Sequence, residues 1–129
     1  MNAMKPFFIA CLILVSLFVA GLMNAHTVTH LSDSIEAQLS YSQAAAQGGQ
    51  WDEVGDTLHS AAELWEEHKT YLHVTLDHSE IEETEALFAE IRQYAAQEDI
   101  QKYCTSAERL TVQLEHLKES QQISIKNVL

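Results

Sequence analysis

Apolar residues in this chain occur in two patterns, one unbroken run near the start and then four spaced stripes. Phe7 to Met23 is apolar throughout apart from Ser16. A helix of those 17 residues would be about 26 Å long, near the lower limit for crossing a bilayer. A buried core helix would carry a polar face, and this run has none. Asn24, His26 and Thr27 end it.

Beyond residue 25 the chain has no proline, and its only glycines are Gly48, Gly49 and Gly55. A stretch so poor in breakers predicts helices joined by short turns. The first runs from Val28 to Gln47, with Val28, Leu31, Ile35, Leu39 and Ala45 or Ala46 on one face, and Gly48-Gly49 stops it. The second starts at Trp51 and reaches about Asp77, its stripe being Trp51, Val54, Leu58, Ala61, Trp65, His68 and Leu72. Ser79-Glu80-Ile81-Glu82 has the form of a capping box, opening a third helix through Ile81, Leu87, Phe88, Ile91 and Tyr94 or Ala95 to about Gln97. Asp99 is placed to cap a fourth, striped by Ile100, Tyr103, Ala107, Leu110, Leu114 and Leu117. Stripes repeating at steps of three and four need partner helices, and short turns make successive helices antiparallel neighbours. The expected fold is therefore all-α, an N-terminal transmembrane helix followed by an antiparallel up-down four-helix bundle. Residues 1–25 form a signal-anchor, 26–122 an extracytoplasmic helical bundle, and 123–129 a C-terminal tail in which Ile123 and Ile125 alternate with polar residues.

Gln43-Ala44-Ala45-Ala46-Gln47 before Trp51 resembles Gln93-Tyr94-Ala95-Ala96-Gln97 before Ile100. This reads either as a repeated helical hairpin or as a coincidence of two alanine-rich helix ends, and the tetratricopeptide consensus does not recur at its period.

The N-terminal run fits an uncleaved signal-anchor better than a cleaved signal peptide. A cleavage site after Ala25 would put Met23 at the −3 position, where a small residue is wanted. Cys11 lies inside the run, which argues against a lipoprotein anchor. Lys5 precedes the run, whereas all 19 acidic residues and six of the seven basic ones follow it, giving the remainder a net charge of −13. That asymmetry places the N-terminus inside and the bulk of the chain outside the cytoplasmic membrane. So acidic a body excludes nucleic-acid binding, which needs clustered Lys and Arg, and disfavours lying flat on anionic lipid. Beyond the anchor Cys104 is the sole cysteine, so no disulfide scaffold forms, and its helical position suits a small buried hydrophobe.

Little chemistry is legible. The chain has no Gly-x-Ser-x-Gly, no phosphate loop and no His-Glu-x-x-His, so no catalytic residue is assigned and no enzyme is expected. In the expected bundle His78, Glu82, Glu85 and His116 gather at the membrane-proximal end. Imidazole nitrogen with carboxylate oxygen suits Zn²⁺ or a similar cation. The plainer reading pairs His78 with Glu82 and His116 with some carboxylate. His26 and His30 share a helix face without a third ligand, His68 reads as a hydrogen-bonded packing residue, and no cofactor is expected.

Asp77-His78-Ser79-Glu80-Ile81-Glu82, Leu87-Phe88-Ala89-Glu90-Ile91 with Tyr94, His116-Leu117 and the closing Ser124-Ile125-Lys126-Asn127-Val128-Leu129, with Gln50-Trp51-Asp52-Glu53 and Trp65 upstream, resemble domain of unknown function 4363. That family comprises short membrane-anchored bacterial proteins found mainly in Clostridia and relatives, with no assigned activity. The resemblance picks out Trp51, Trp65, His78, Glu82, His116 and Asn127 as structural or interaction residues. Leu76-Asp77 before the histidine, and Leu117 where the family tends to have isoleucine, depart from its pattern. Members are often encoded beside a small multi-spanning membrane protein, so the resemblance implies a multi-pass membrane protein as partner.

The expected role is thus a non-enzymatic accessory or protein-interaction module, docking through its membrane-proximal end and tail. A cation- or small-ligand-sensing bundle using His78, Glu82 and His116 is the alternative, and homo-oligomerisation through the helix stripes a third.

Overall fold

The computed structural model describes the backbone of residues 4–128 and the side chains of residues 4–121. It contains four helices, α1 (Met4–Gln47), α2 (Trp51–Thr75), α3 (His78–Ala96) and α4 (Ile100–Val128), and no strand among the described residues.

The boundary expected near residue 25 is not a break. The apolar run and the first amphipathic stripe form one 44-residue helix. Asn24, His26 and Thr27 are mediocre helix formers but not breakers, and no glycine or proline lies between Gly21 and Gly48. The expected tail is likewise not separate, because α4 continues through Val128. Alternation of apolar and polar residues over so short a segment says little against helix when no breaker precedes it.

The two parts of α1 face different surroundings. Its first twenty residues pack on little of the chain; Phe8, Leu12, Leu14 and Leu17 each stay about two-thirds exposed. From Val28 onward every expected stripe position is buried: Val28, Leu31, Ile35, Leu39, Ala45 and Ala46. These join Val54, Leu58, Ala61, Trp65 and Leu72 of α2, Ile81, Leu87, Phe88 and Ile91 of α3, and Tyr103, Ala107, Leu110, Leu114 and Leu117 of α4 in one core. Ile100 is the stripe residue that fails, at 40% exposed, because it sits at the open first turn of α4. Helix α1 packs against α2 and α4, and α3 packs against α2 and α4.

Side-chain pairs set the register. Tyr103 donates its hydroxyl to Ser42, Lys118 reaches Asp33 and Glu36, and Asn24 donates to Gln121. Between α1 and α2, Tyr41 donates to Glu53 and Tyr71 to Asn24. Arg109 meets Glu90 across α3 and α4 at 3.0 Å, and Trp65 meets Phe88 across α2 and α3 with ring centres 6.1 Å apart.

The two junctions that look alike in sequence close alike in space. In the first, Gln50 N–H donates to Ala45 C=O and Gly49 N–H to Ala46 C=O. In the second, Asp99 N–H donates to Tyr94 C=O and Glu98 N–H to Ala95 C=O. Both are six-to-one Schellman closures, which need a left-handed residue just past the helix. Gly49 fills that place at φ 75°, and Glu98 fills the other at φ 55°. Asp99 also accepts from Lys102 N–H, capping α4 as expected. The capping box at Ser79 does not form: Asp77 is the N-cap of α3, with extended backbone and no side-chain cap bond, so Ser79 already lies inside the first turn.

Candidate functional site

The polar groups worth testing for function lie on the half of the body nearer the apolar run. His78 opens α3, and its Nε2 lies 2.8 Å from Glu82 Oε1. Both side chains are largely exposed, so the pair contributes little stability. His116 binds another acid: its Nε2 is 3.1 Å from Glu80 Oε1. Glu80 is the better-held carboxylate, because Gln113 Nε2 donates to its other oxygen at 3.0 Å and to Thr84 Oγ1 at 3.3 Å. Thr84, fully buried, donates back to the Glu80 carbonyl.

His78, Glu82 and His116 therefore belong to two separate pairs. Among the described residues no three His, Cys, Asp or Glu side chains converge in a way that would hold a metal ion. Neighbouring imidazoles do occur, His26 with His30 at 6.3 Å and His73 with His78 at 5.8 Å between ring centres. Neither couple belongs to a converging group of three such side chains among the described residues. Glu85 pairs with Lys69 at 3.0 Å, which holds the lysine above its usual pKa. His68 is half-buried, and its Nδ1–H donates to the Leu64 carbonyl.

A cluster that sequence reasoning missed sits between α1 and α4. Lys118 Nζ donates to Asp33 Oδ1 at 2.7 Å, Glu36 Oε2 at 3.0 Å and Glu115 Oε1 at 2.7 Å. Its side chain is only 13% exposed. Burial pulls its pKa down, but the three carboxylate hydrogen bonds together outweigh burial and hold it above the usual lysine value. Glu36 is pushed up to about 6, first by burial and then by its hydrogen bond with Glu115, against the pull of Lys118. Glu115 moves the other way, held low by the Lys118 and Glu36 hydrogen bonds. The second oxygen of Glu36 is buried without a partner among the described residues. One ammonium thus serves three acids, and Glu36 is the one that most readily keeps a proton. Because Lys118 lies 82 residues from Glu36, no local spacing signals the cluster.

The other singled-out residues are placed as follows. Trp65 is 2% exposed and belongs to the core, leaving no surface for a partner. Trp51 is half-buried, edge-on to Tyr103 at 5.7 Å. It lines an open groove of about 450 Å³ with Asp52, His59, Arg92 and Glu98. Cys104 is half-buried, and its thiol is pushed up first by burial and then by Glu108, which makes it a poor nucleophile at neutral pH. Asn127 lies outside the described side chains.

A family model described as Domain of unknown function (DUF4363) matches residues 22–128. The chain belongs to that family. The DUF4363 match begins at Leu22, where the apolar run is ending, and takes in the whole helical body with both histidine–carboxylate pairs and the Lys118 cluster. Neither a curated protein nor a solved structure gives a significant match to the chain.

Proposed function

We propose that this DUF4363 protein is a membrane-anchored, extracytoplasmic, non-enzymatic interaction module that holds an acidic helical body close above the bilayer for a partner in the same membrane. The observation that carries this reading is the continuity of α1. A helix whose first half is apolar, exposed and long enough to cross a membrane becomes, without a hinge, a core helix of the body. Anchor and body are then one rigid piece, with the body's distance and tilt set by the helix.

The body is an up-down antiparallel bundle in this reading. Partner numbers run in opposite order in each packed pair: Ser42 with Tyr103 and Asn24 with Gln121 for α1 and α4, Tyr41 with Glu53 and Asn24 with Tyr71 for α1 and α2. The N-terminus lies in the cytoplasm in this reading, because Lys5 precedes the span and no Lys or Arg follows it before Lys69, consistent with the positive-inside bias. A non-enzymatic role is supported by the way the polar side chains pair with one another, His78 with Glu82, His116 with Glu80 and Lys118 with its three carboxylates. A multi-pass membrane partner accords with the family resemblance. Residues 123–128 belong to α4, so the docking segment of this reading is helical, and the stripe residues contribute to the chain's own core.

The test is membrane fractionation with protease accessibility. The full chain should stay in membranes through an alkaline carbonate wash and be digested by protease added from the outer side. Recovery of the full chain in the soluble fraction, or protection from external protease, would refute the reading.

A further inference from the structure

We infer that the near end of the body, formed by the last turns of α2 and α4, is seated in the lipid–water interface of the bilayer that α1 crosses. This rests on the anchoring reading above. Asn24 is the first polar residue after the apolar run, and it donates to Gln121 of α4. Helix α4 does not stop there. It continues seven residues to Val128, roughly 10 Å of helix.

The direction of those residues follows from the pairs already described. Moving from Tyr103 to Lys118 to Gln121 along α4 means moving from Ser42 to Glu36 to Asn24 along α1. The continuation therefore runs back beside the apolar run. Burial agrees: Phe18 and Gly21 are half-covered, whereas Leu14 and Leu17 around them are open. A headgroup layer is about 5–8 Å deep, so the final turns of α4 pass through it. Their sequence mixes the apolar Ile123, Ile125 and Val128 with the cationic Lys126.

Helix α2 supplies an independent sign. Val74 is 83% exposed, the most open of the large apolar side chains described, and lies three residues beyond Tyr71. The Tyr71 hydroxyl donates to Asn24, which puts this turn at the same level as the end of the apolar run. Tyrosine is a characteristic interfacial residue, with an apolar ring and a polar tip. Because Asp77 stands beside this turn and the body is strongly acidic, the lipid that suits it is zwitterionic.

The experiment places an environment-sensitive fluorophore on single cysteines of the full chain, in a Cys11→Ala/Cys104→Ala background. The protein is reconstituted in phosphatidylcholine vesicles carrying nitroxide lipids, and far-ultraviolet circular dichroism checks that each variant folds. Probes at Val74→Cys and Val128→Cys should show blue-shifted emission and be quenched by a shallow nitroxide. A Leu14→Cys probe should be quenched by a deep one. A Val112→Cys probe, at a side chain 67% exposed in the middle of α4, should report water and escape both. Quenching at position 14 with water-like emission at 74 and 128 would overturn the inference alone. Emission at 74 and 128 that is shifted yet unquenched would overturn it in favour of a protein occupant. No quenching at position 14 would overturn the anchoring reading, and the inference with it.

Discussion

The two ends of the helical body are finished in opposite ways. At the far end both turns close on themselves with matching backbone hydrogen bonds, and Trp51, Tyr103 and Ser42 form a packed group beneath them. Ile100 is left 40% exposed there, against 83% for Val74 at the other end. At the near end the core gives way to a polar trio, Tyr71, Asn24 and Gln121, with Val74 open beside it and a bare apolar helix leading away. An end closed by its own groups is built for water. One that leaves apolar surface uncovered and hydrogen-bonds its polar groups at the boundary accords with the proposed seat at an interface between two solvents.

That contrast breaks most visibly at Tyr103, which is fully buried and donates to Ser42. Tyr103→Ala removes an aromatic ring from a closed site and should destabilise the body by roughly 3–5 kcal/mol, measured by urea unfolding of the full chain in detergent. A loss under 1 kcal/mol would mean that the far end is loosely packed after all. The near end should answer to a different probe. Leu14→Arg ought to leave the same unfolding curve unchanged, since Leu14 touches little of the body. It should disfavour membrane insertion by about 3 kcal/mol, seen as a larger carbonate-extractable fraction.

Between the ends lies the Lys118 cluster, which sharpens the comparison through pH. Glu36 has a folded pKa of about 6 against 4.5 for the free side chain. An acid whose folded pKa is raised binds its proton more tightly when folded. Its stabilising contribution is therefore fully present below about pH 4.5 and is lost as pH rises through 6. The lowered pKa of Glu115 acts in the opposite sense, on the acid side of that window. Glu36→Gln should remove a change of about 1 kcal/mol between pH 4.5 and 6.5, less than the full shift would give because the cluster is partly wet. An unchanged pH profile in that variant would show that Glu36 is ionised throughout.

How much of this was legible beforehand depended on distance along the chain. The four stripes were readable because helical spacing is local, and the buried positions of α1 and α4 follow them nearly residue by residue. The pairing of His78 with Glu82 was readable for the same reason, being a step of four. His116 with Glu80 was not, since its partner was one of many acids in the run from Glu80 to Glu85. The Lys118 cluster was invisible because it depends on the register of two helices that the chain separates by residues 48–99, which hold α2, α3 and three connecting turns. Helix ends misled in a regular way. Asn24 to Thr27 and the segment after Gln121 look like boundaries because their polarity changes, yet polarity marks a change of surroundings, and a helix stops only where its backbone is stopped.

The smallest effect concerns the far end alone, where two turns with the same hydrogen-bond pattern carry different residues at the left-handed position. Gly49 and Glu98 hold the same left-handed position after α1 and α3, and only glycine does so without a steric penalty from Cβ. At Gly49 a Cβ would meet no atom within 4 Å, so any loss there is conformational and does not come from a clash. Glu98→Gly should stabilise the body by about 0.5–1 kcal/mol, helped by removing a negative charge from the C-terminal end of α3. Gly49→Glu should destabilise it by a similar amount, so the double exchange should unfold near the parent midpoint. If Glu98→Gly were neutral or harmful, the Glu98 side chain would have to contribute something that compensates its backbone strain. The obvious place to look would be the groove it shares with Trp51 and Arg92, and titrating Arg92→Ala against the same background would decide it.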